Sequence, residues 1–182
     1  MLLDADDDSL LAAAGEGDQT AFNQLVQRHA PRLHAVARRY GCSDADADEI
    51  VQDAFWRAWK SAGNWRPSAA KVSTWLYRVA VNRIIDHRRT LGRRSEDALD
   101  DGPDIADNTA NAEKALDDRQ CLAAMRAAIA ELPDRQRMAI ILSTQQGKSN
   151  GEIAEILGSS EGAVEQLMVR ARRMLREKYR RL

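Results

Sequence analysis

Ser149-Asn150-Gly151-Glu152-Ile153-Ala154-Glu155-Ile156-Leu157-Gly158-Ser159-Ser160 encodes a short helix, a turn and the start of another helix. Ser149 followed three residues later by Glu152 is a capping-box pair. Ile153, Ala154, Ile156 and Leu157 then supply the apolar face of little more than two turns. Gly158 ends the helix, since glycine enters the left-handed conformation of a tight turn without a Cβ clash. Ser159 or Ser160 caps the next helix, whose buried side reads Val164, Leu167, Met168, Ala171 and Leu175. Small Ala154 lets the two helices approach, and Val164, six residues past Gly158, pins the second across the first. The second helix ends in Arg170, Arg172, Arg173, Arg176, Lys178, Arg180 and Arg181. A basic helix after such a turn suits a DNA major groove, with phosphate contacts at its flanks. A plain helical hairpin is the alternative.

Upstream, apolar residues also recur at helical spacing. Phe22, Leu25, Val26, His29, Leu33, Val36, Ala37 and Tyr40 mark one long amphipathic helix. A second begins near Ser43, capped with Asp46 in its first turn, and runs to about Ser61 before Gly63; a third runs from about Ser73 to Arg89. Residues 90 to about 115 lose the apolar pattern and fill with Gly, Pro, Asn and carboxylates, which bury too little surface to offset the entropy of ordering. Helical periodicity returns at Leu122, Met125 and Ile129, stops at Pro133, resumes at Met138, Ile141 and Leu142, and breaks near Gly147. No stretch alternates as a strand would. The expected fold is all-α: two small helical domains, 1–90 and 117–182, joined by a flexible acidic linker, 91–116, with the helix-turn-helix in the second.

Charge follows the same division. The net charge is −1, yet residues 21–90 carry twelve basic side chains against six acidic, and 119–182 carry twelve against seven. The first 20 residues are acidic, as is the linker. Two basic bodies suit a polyanionic partner, because each neutralised phosphate releases counterions; a solvated surface would carry the same charges. With 44% hydrophobic and 30% charged residues the chain reads as a soluble globular protein. No apolar run is long enough to cross a membrane, and Asp4, Asp6, Asp7 and Asp8 are the opposite of a basic signal peptide. The expected location is the cytoplasm. Cys42 and Cys121 lie far apart and read as reduced thiols, and His29, His34 and Cys42 match no metal spacing. No phosphate loop or nucleophile motif is found, so no enzymatic activity, cofactor or small-molecule substrate is expected.

Two blocks of residues in this order resemble the extracytoplasmic-function sigma factors, the promoter-recognition subunits of bacterial RNA polymerase. The first is Ala21-Phe22, then Asp48-Glu49-Ile50-Val51-Gln52-Asp53-Ala54-Phe55-Trp56-Arg57-Ala58-Trp59, then Thr74-Trp75-Leu76-Tyr77-Arg78-Val79-Ala80 leading to Asn82, Asp86 and Arg89. The second is Leu132-Pro133 with Arg137, the Ser149–Gly158 stretch, Val164 and Arg170-Ala171-Arg172. The resemblance implies partners: core RNA polymerase, through its clamp coiled coil and flap, promoter DNA, and an anti-sigma factor. It also implies sites. Glu49, Gln52, Asp53, Trp56, Arg57 and Lys60 form the polar arc of the second helix that grips the clamp, with Trp56 as an aromatic anchor. Trp65, Arg66, Arg78, Asn82, Arg88 and Arg89 hold the minus-ten element, where rings and guanidinium groups stack on extruded bases. Trp75, in phase with Leu76 and Val79, belongs to the core.

The recognition helix departs from the family. Where a basic residue, a serine and an arginine commonly follow the valine, this chain has Glu165, Gln166 and Leu167. Glu165 repels phosphate but can accept from cytosine, and Gln166 can pair with adenine. Glu165, Gln166, Val169, Arg170 and Arg173 are therefore expected on the minus-thirty-five element. A free linker of about 26 residues spans typically roughly 28 Å and at most about 90 Å, so it reaches without positioning. Polymerase would have to hold the domains roughly 55 Å apart for two elements about one and a half turns apart. Two rivals remain open at this point. A sigma mimic would sequester an anti-sigma factor without reading promoters, and a helix-turn-helix repressor would dimerise on a palindrome.

Overall fold

The computed structural model describes residues 5–66, 71–95 and 123–180. Among these, eight helices are found and no strand: α1 (Asp7–Gly15), α2 (Gln19–Tyr40), α3 (Asp44–Ala62), α4 (Val72–Ser95), α5 (123–130), α6 (Asp134–Gln146), α7 (Asn150–Leu157) and α8 (Glu161–Tyr179). The first four pack around Leu25, Leu33, Val36, Ile50, Phe55, Leu76 and Ile84, and α6, α7 and α8 around Met138, Leu142, Ile153, Val164 and Ala171.

Local chemistry sets most ends. Ser43 accepts from the Asp46 amide at 3.1 Å while Asp46 reaches back to the Ser43 amide, closing the box that starts α3. Ser149 and Glu152 do the same for α7. Gly158 ends α7 at φ +58°, and Ser160, rather than Ser159, caps α8 by accepting from Ala163.

Three features depart from the expected layout. The acidic start forms α1: Asp6 caps it by accepting from Ser9 at 2.8 Å, and Leu10 and Leu11 are fully buried. Helix α4 continues to Ser95, past residue 91 where the linker was expected to begin. A lone Gly92 between Leu91 and two arginines is too weak a breaker, at about 1 kcal/mol, to stop a helix already running. The remainder of the expected linker, and Cys121, lie outside the described residues. Finally, the two domains, present as expected, pack on each other through one continuous buried core that the sequence spacing did not reveal.

The third departure traces to α6. Six consecutive residues, Arg137 to Leu142, are buried. A helix presents only one stripe to a single neighbour, so a run apolar all round must be covered on several sides. Helices α7 and α8 cover part of α6, and α2 of the first domain covers another. Helix α4 packs on α7 beside it.

Gly15 permits the tightest approach. A methyl group there would lie 2.5 Å from the Ala62 carbonyl oxygen, where the ends of α1 and α3 meet. Replacing Gly15 with alanine is expected to cost about 1–3 kcal/mol, measured by urea unfolding, despite alanine's better helix propensity.

Candidate nucleic-acid and polymerase interface

On α8 the buried side is Val164, Met168 and Ala171. At 3.6 residues per turn the opposite arc holds Gln166, Val169 and Arg173, flanked by Glu165 and Arg170. All five are exposed. Val169 is 65% exposed, the most open of the large apolar side chains among the described residues. Lys178 is drawn back by an ion pair with Glu131, so part of the basic tail braces α5.

On α3 the helical repeat turns Glu49, Gln52, Trp56, Arg57 and Lys60 outward, all exposed. Trp56 is 56% exposed, with the Lys60 ammonium 4.7 Å from its ring. Asp53 is half-buried between Arg57 and Arg83, each 3.0 Å away. Arg83, on α4, also lines the shallow depression formed by Glu49, Gln52, Asp53 and Trp56. Sequence reading missed it because only the packing of α4 on α3 brings it there; no local pattern on α4 marks it.

The residues expected on the minus-ten element sit in different surroundings. Arg78, Asn82 and, two turns further on, Arg89 share an edge of α4, all exposed, with Arg88 also exposed next to Arg89 in the chain. Arg66 is exposed, its guanidinium donating to the Trp65 carbonyl at 3.2 Å. Trp65 itself is half-buried: its indole N–H donates to Asp8 at 3.0 Å, and its ring meets Trp75 edge-on at 5.9 Å. Trp75 is half-buried against the core, as its helical phase requires. The α1 helix, unseen in the sequence, therefore holds the Trp65 ring by its indole N–H.

Further contacts cross between the halves. Tyr40, fully buried at the end of α2, donates to Asp134 at 2.8 Å, and the other Asp134 oxygen lies 3.2 Å from Arg89. The Arg137 guanidinium, 6% exposed, stacks 4.5 Å from the Tyr40 ring. Tyr77, on α4, donates to Gln146 at 2.8 Å. Lys148 stands 5.4 Å from the Tyr77 ring and pairs with Glu152 at 2.8 Å, tying this contact to the cap of α7. Burial, then the Asp134 carboxylate, push the Tyr40 phenol above its ordinary range; burial does the same to Tyr77. Burial leads, too, in holding Cys42 up at about 11.

Among the described residues no cluster of His, Cys, Asp and Glu suits a metal ion, and no helix is long and apolar enough to cross a membrane. The exposed aromatic-polar patch on one domain and the exposed outer arc of α8 on the other are surfaces suited to contact with macromolecules.

Comparison with known proteins agrees. Residues 25–94 match the family Sigma-70 region 2, and residues 122–175 match Sigma-70, region 4. Those two regions in that order define a sigma factor. The ECF RNA polymerase sigma factor SigM of Mycobacterium tuberculosis is 39% identical over 169 residues, 93% of this chain and 82% of SigM. The structure of CnrH in complex with the cytosolic domain of CnrY superposes with a TM-score of 0.70 at 32% identity, covering 94% of this chain and 95% of that one. The sigma factor RpoE in complex with the anti-sigma factor NepR from Bartonella quintana gives 0.67 at 25% identity, covering 87% and 96%. The chain belongs to the ECF sigma factors of bacterial RNA polymerase, regulatory DNA-binding proteins.

The tyrosines that cross between the halves carry a pH dependence. In the unfolded chain a tyrosine ionises near about 10, and in the folded chain Tyr40 and Tyr77 ionise higher. Their contribution is thus complete below about pH 10 and is lost as pH rises through the folded values. Denaturant unfolding should show stability falling above about pH 10, with a shallower fall for Tyr40→Phe and Tyr77→Phe than for the parent.

Proposed function

We propose that this chain directs core RNA polymerase to promoters by holding the polymerase with α3 and reading DNA at two places, with α4 and α8. The observation that carries this is the pairing, in one chain, of a polar helix face centred on an exposed tryptophan with a helix-turn-helix whose reading helix is open along its outer arc. The polymerase face is Glu49, Gln52, Asp53, Trp56, Arg57 and Lys60, joined by Arg83. An aromatic anchor ringed by polar groups is the usual composition of an interface hot spot. Arg66, Arg78, Asn82, Arg88 and Arg89 hold the minus-ten strand, and Trp65 stacks on a base once its bond to Asp8 gives way. The domain limits follow: 1–90 for polymerase and minus-ten binding, 117–182 for minus-thirty-five binding, and the acidic linker 91–116 between, into whose first residues α4 continues as far as Ser95. The chain works in the cytoplasm, beside polymerase and DNA, and contributes binding rather than covalent chemistry.

The departures on α8 set the preference. Glu165 accepts from a cytosine amino group, Gln166 pairs with adenine, and Val169 offers a methyl-sized apolar contact to thymine, while Arg170 and Arg173 bind phosphates or guanine. Core polymerase confers specificity by fixing the domain separation. An anti-sigma factor holds the chain inactive, a reading supported by the RpoE relative solved with NepR and by CnrH solved with CnrY. The repressor reading fails because it leaves the region 2 match over residues 25–94 without a purpose.

Transcription of a genomic DNA pool by core polymerase, with and without the chain, tests the proposal. New start sites sharing two upstream elements are expected; none, together with tight binding to a small partner, would turn the chain into a sequestering mimic. Trp56→Ala should weaken core binding by about 30-fold or more and leave helicity intact, because the ring is exposed; competition with a labelled sigma factor measures it. Glu165→Arg should change the preferred minus-thirty-five sequence in a promoter library, and an unchanged preference removes Glu165 from the readout. Replacing the contacted thymine by uracil should weaken holoenzyme binding a few-fold with Val169 present and have no effect with Val169→Ala.

A further inference from the structure

Trp65 is the one aromatic residue of the minus-ten set, and its ring is held from two sides. Its indole N–H donates to the Asp8 carboxylate of α1 at 3.0 Å, and its ring meets Trp75 of α4 edge-on at 5.9 Å. The backbone beneath the ring is anchored separately. The amides of Asn64 and Trp65 donate to the carbonyls of Ser61 and Ala62, each at 3.1 Å, at the end of α3. The side chain can therefore leave Asp8 by turning about its own bonds, without unwinding α3. Helix α1 does not depend on Asp8 for its place. Asp7 ties it to α2 through Arg28 at 2.7 Å and His29 at 2.8 Å, Leu10 and Leu11 are fully buried, and Gly15 meets the end of α3. Asp8 is thus a carboxylate on a fixed helix, bonded to a ring that has work to do elsewhere.

We propose that Asp8 is a positioning residue that latches Trp65, and that this latch sets the threshold for capture of the minus-ten strand. The role rests on the reading of Trp65 as a base-stacking residue. A half-buried ring with its N–H edge on α1, set edge-on to Trp75, offers only part of a face. Full overlap with an extruded base requires the ring to turn outward, which breaks the bond to Asp8. The indole has a single N–H to donate, so no second bond to α1 replaces it. A hydrogen bond to a carboxylate and the stacking of a base on an aromatic ring are similar in strength. The two positions of the ring therefore lie within reach of each other: a well-stacked base draws it out, and a poorly stacked one does not. Apparent affinity falls by the fraction of molecules whose ring is latched. The latch thereby favours strands that stack well while lowering affinity for all of them, and it does so from a residue that touches no DNA.

Holoenzyme on a promoter recovered from the genomic pool tests this, with opening read by permanganate oxidation of unpaired thymines and core affinity by competition. Asp8→Ala should raise the opening equilibrium about 10-fold at unchanged core affinity. Asp8→Asn separates the bond from the charge, since it removes the charge but keeps an acceptor oxygen; it should show only a small part of the gain. Trp65→Phe reaches the same bond from the other side. A phenyl ring has no N–H to latch, so Asp8→Ala should add nothing in that background. Asp8→Ser, too short to reach the ring, repeats the test should Asp8→Ala lose helicity. Equal gains for Asp8→Ala and Asp8→Asn would overturn the latch, reducing Asp8 to a charge that repels DNA. So would a gain that persists in the Trp65→Phe background, or an Asp8→Ala holoenzyme that opens no better than the parent. Failure of the underlying reading shows separately: Trp65→Ala, expected to lose opening, would then open promoters as the parent does.

Discussion

The arrangement of the molecule depends on the burial of α6 on more than one side. Met138-Ala139-Ile140-Ile141-Leu142 cannot all face one partner at 3.6 residues per turn. Helices α7 and α8 satisfy one side, and the helix-turn-helix takes its shape from that packing. The other side falls to α2, which brings Tyr40 under Arg137 and sets Asp134 opposite Arg89. At full burial each of the four larger side chains, Met138, Ile140, Ile141 and Leu142, stabilises by roughly 1.5–3 kcal/mol, far more than an exposed ion pair contributes. Hydrocarbon thus supplies the cohesion between the halves, and the polar contacts choose the register in which they meet.

How much of this was legible beforehand depended on the range of the interaction. The capping boxes of α3 and α7, the glycine at the end of α7 and the outer arc of α8 are read within a few residues, because backbone satisfaction and helical phase are local. Helix α1 was equally local but disguised: a run of aspartates looks like solvated charge, and only Asp6 accepting from Ser9, with Leu10 and Leu11 behind it, reveals a capped helix. In α6 the sequence showed only helical periodicity at Met138, Ile141 and Leu142, without a clue that the helix is buried on several sides. Contacts such as Tyr40 with Asp134, 94 positions apart, leave no trace in spacing. The candidate site divides the same way. Exposure of Trp56 followed from its place on a polar arc, but neither the arrival of Arg83 beside it nor the capture of Trp65 by Asp8 could be read from either helix alone.

Charge is distributed with a similar economy. A net charge of −1 conceals carboxylates used at helix starts, where Asp6, Asp46 and Glu152 satisfy backbone N–H groups. Hydrogen bonds from Ser9 hold the exposed Asp6 below the usual carboxylate range, those from Ser43 do so for Asp46, and those from Lys148 and Ser149 for Glu152. These acids stay ionised and are held at helix starts by local hydrogen bonds. The glutamate on the outer arc of α8 stands apart, with no such structural employment among the described contacts.

Cys42 closes the end of α2 with only 1% of its surface exposed, and burial holds its thiol near 11. At neutral pH about one molecule in ten thousand would carry the thiolate, the form that attacks peroxides and disulfides. In redox terms this cysteine is silent: it behaves as a small hydrocarbon, and exposure of the folded chain to oxidant would leave it a free thiol.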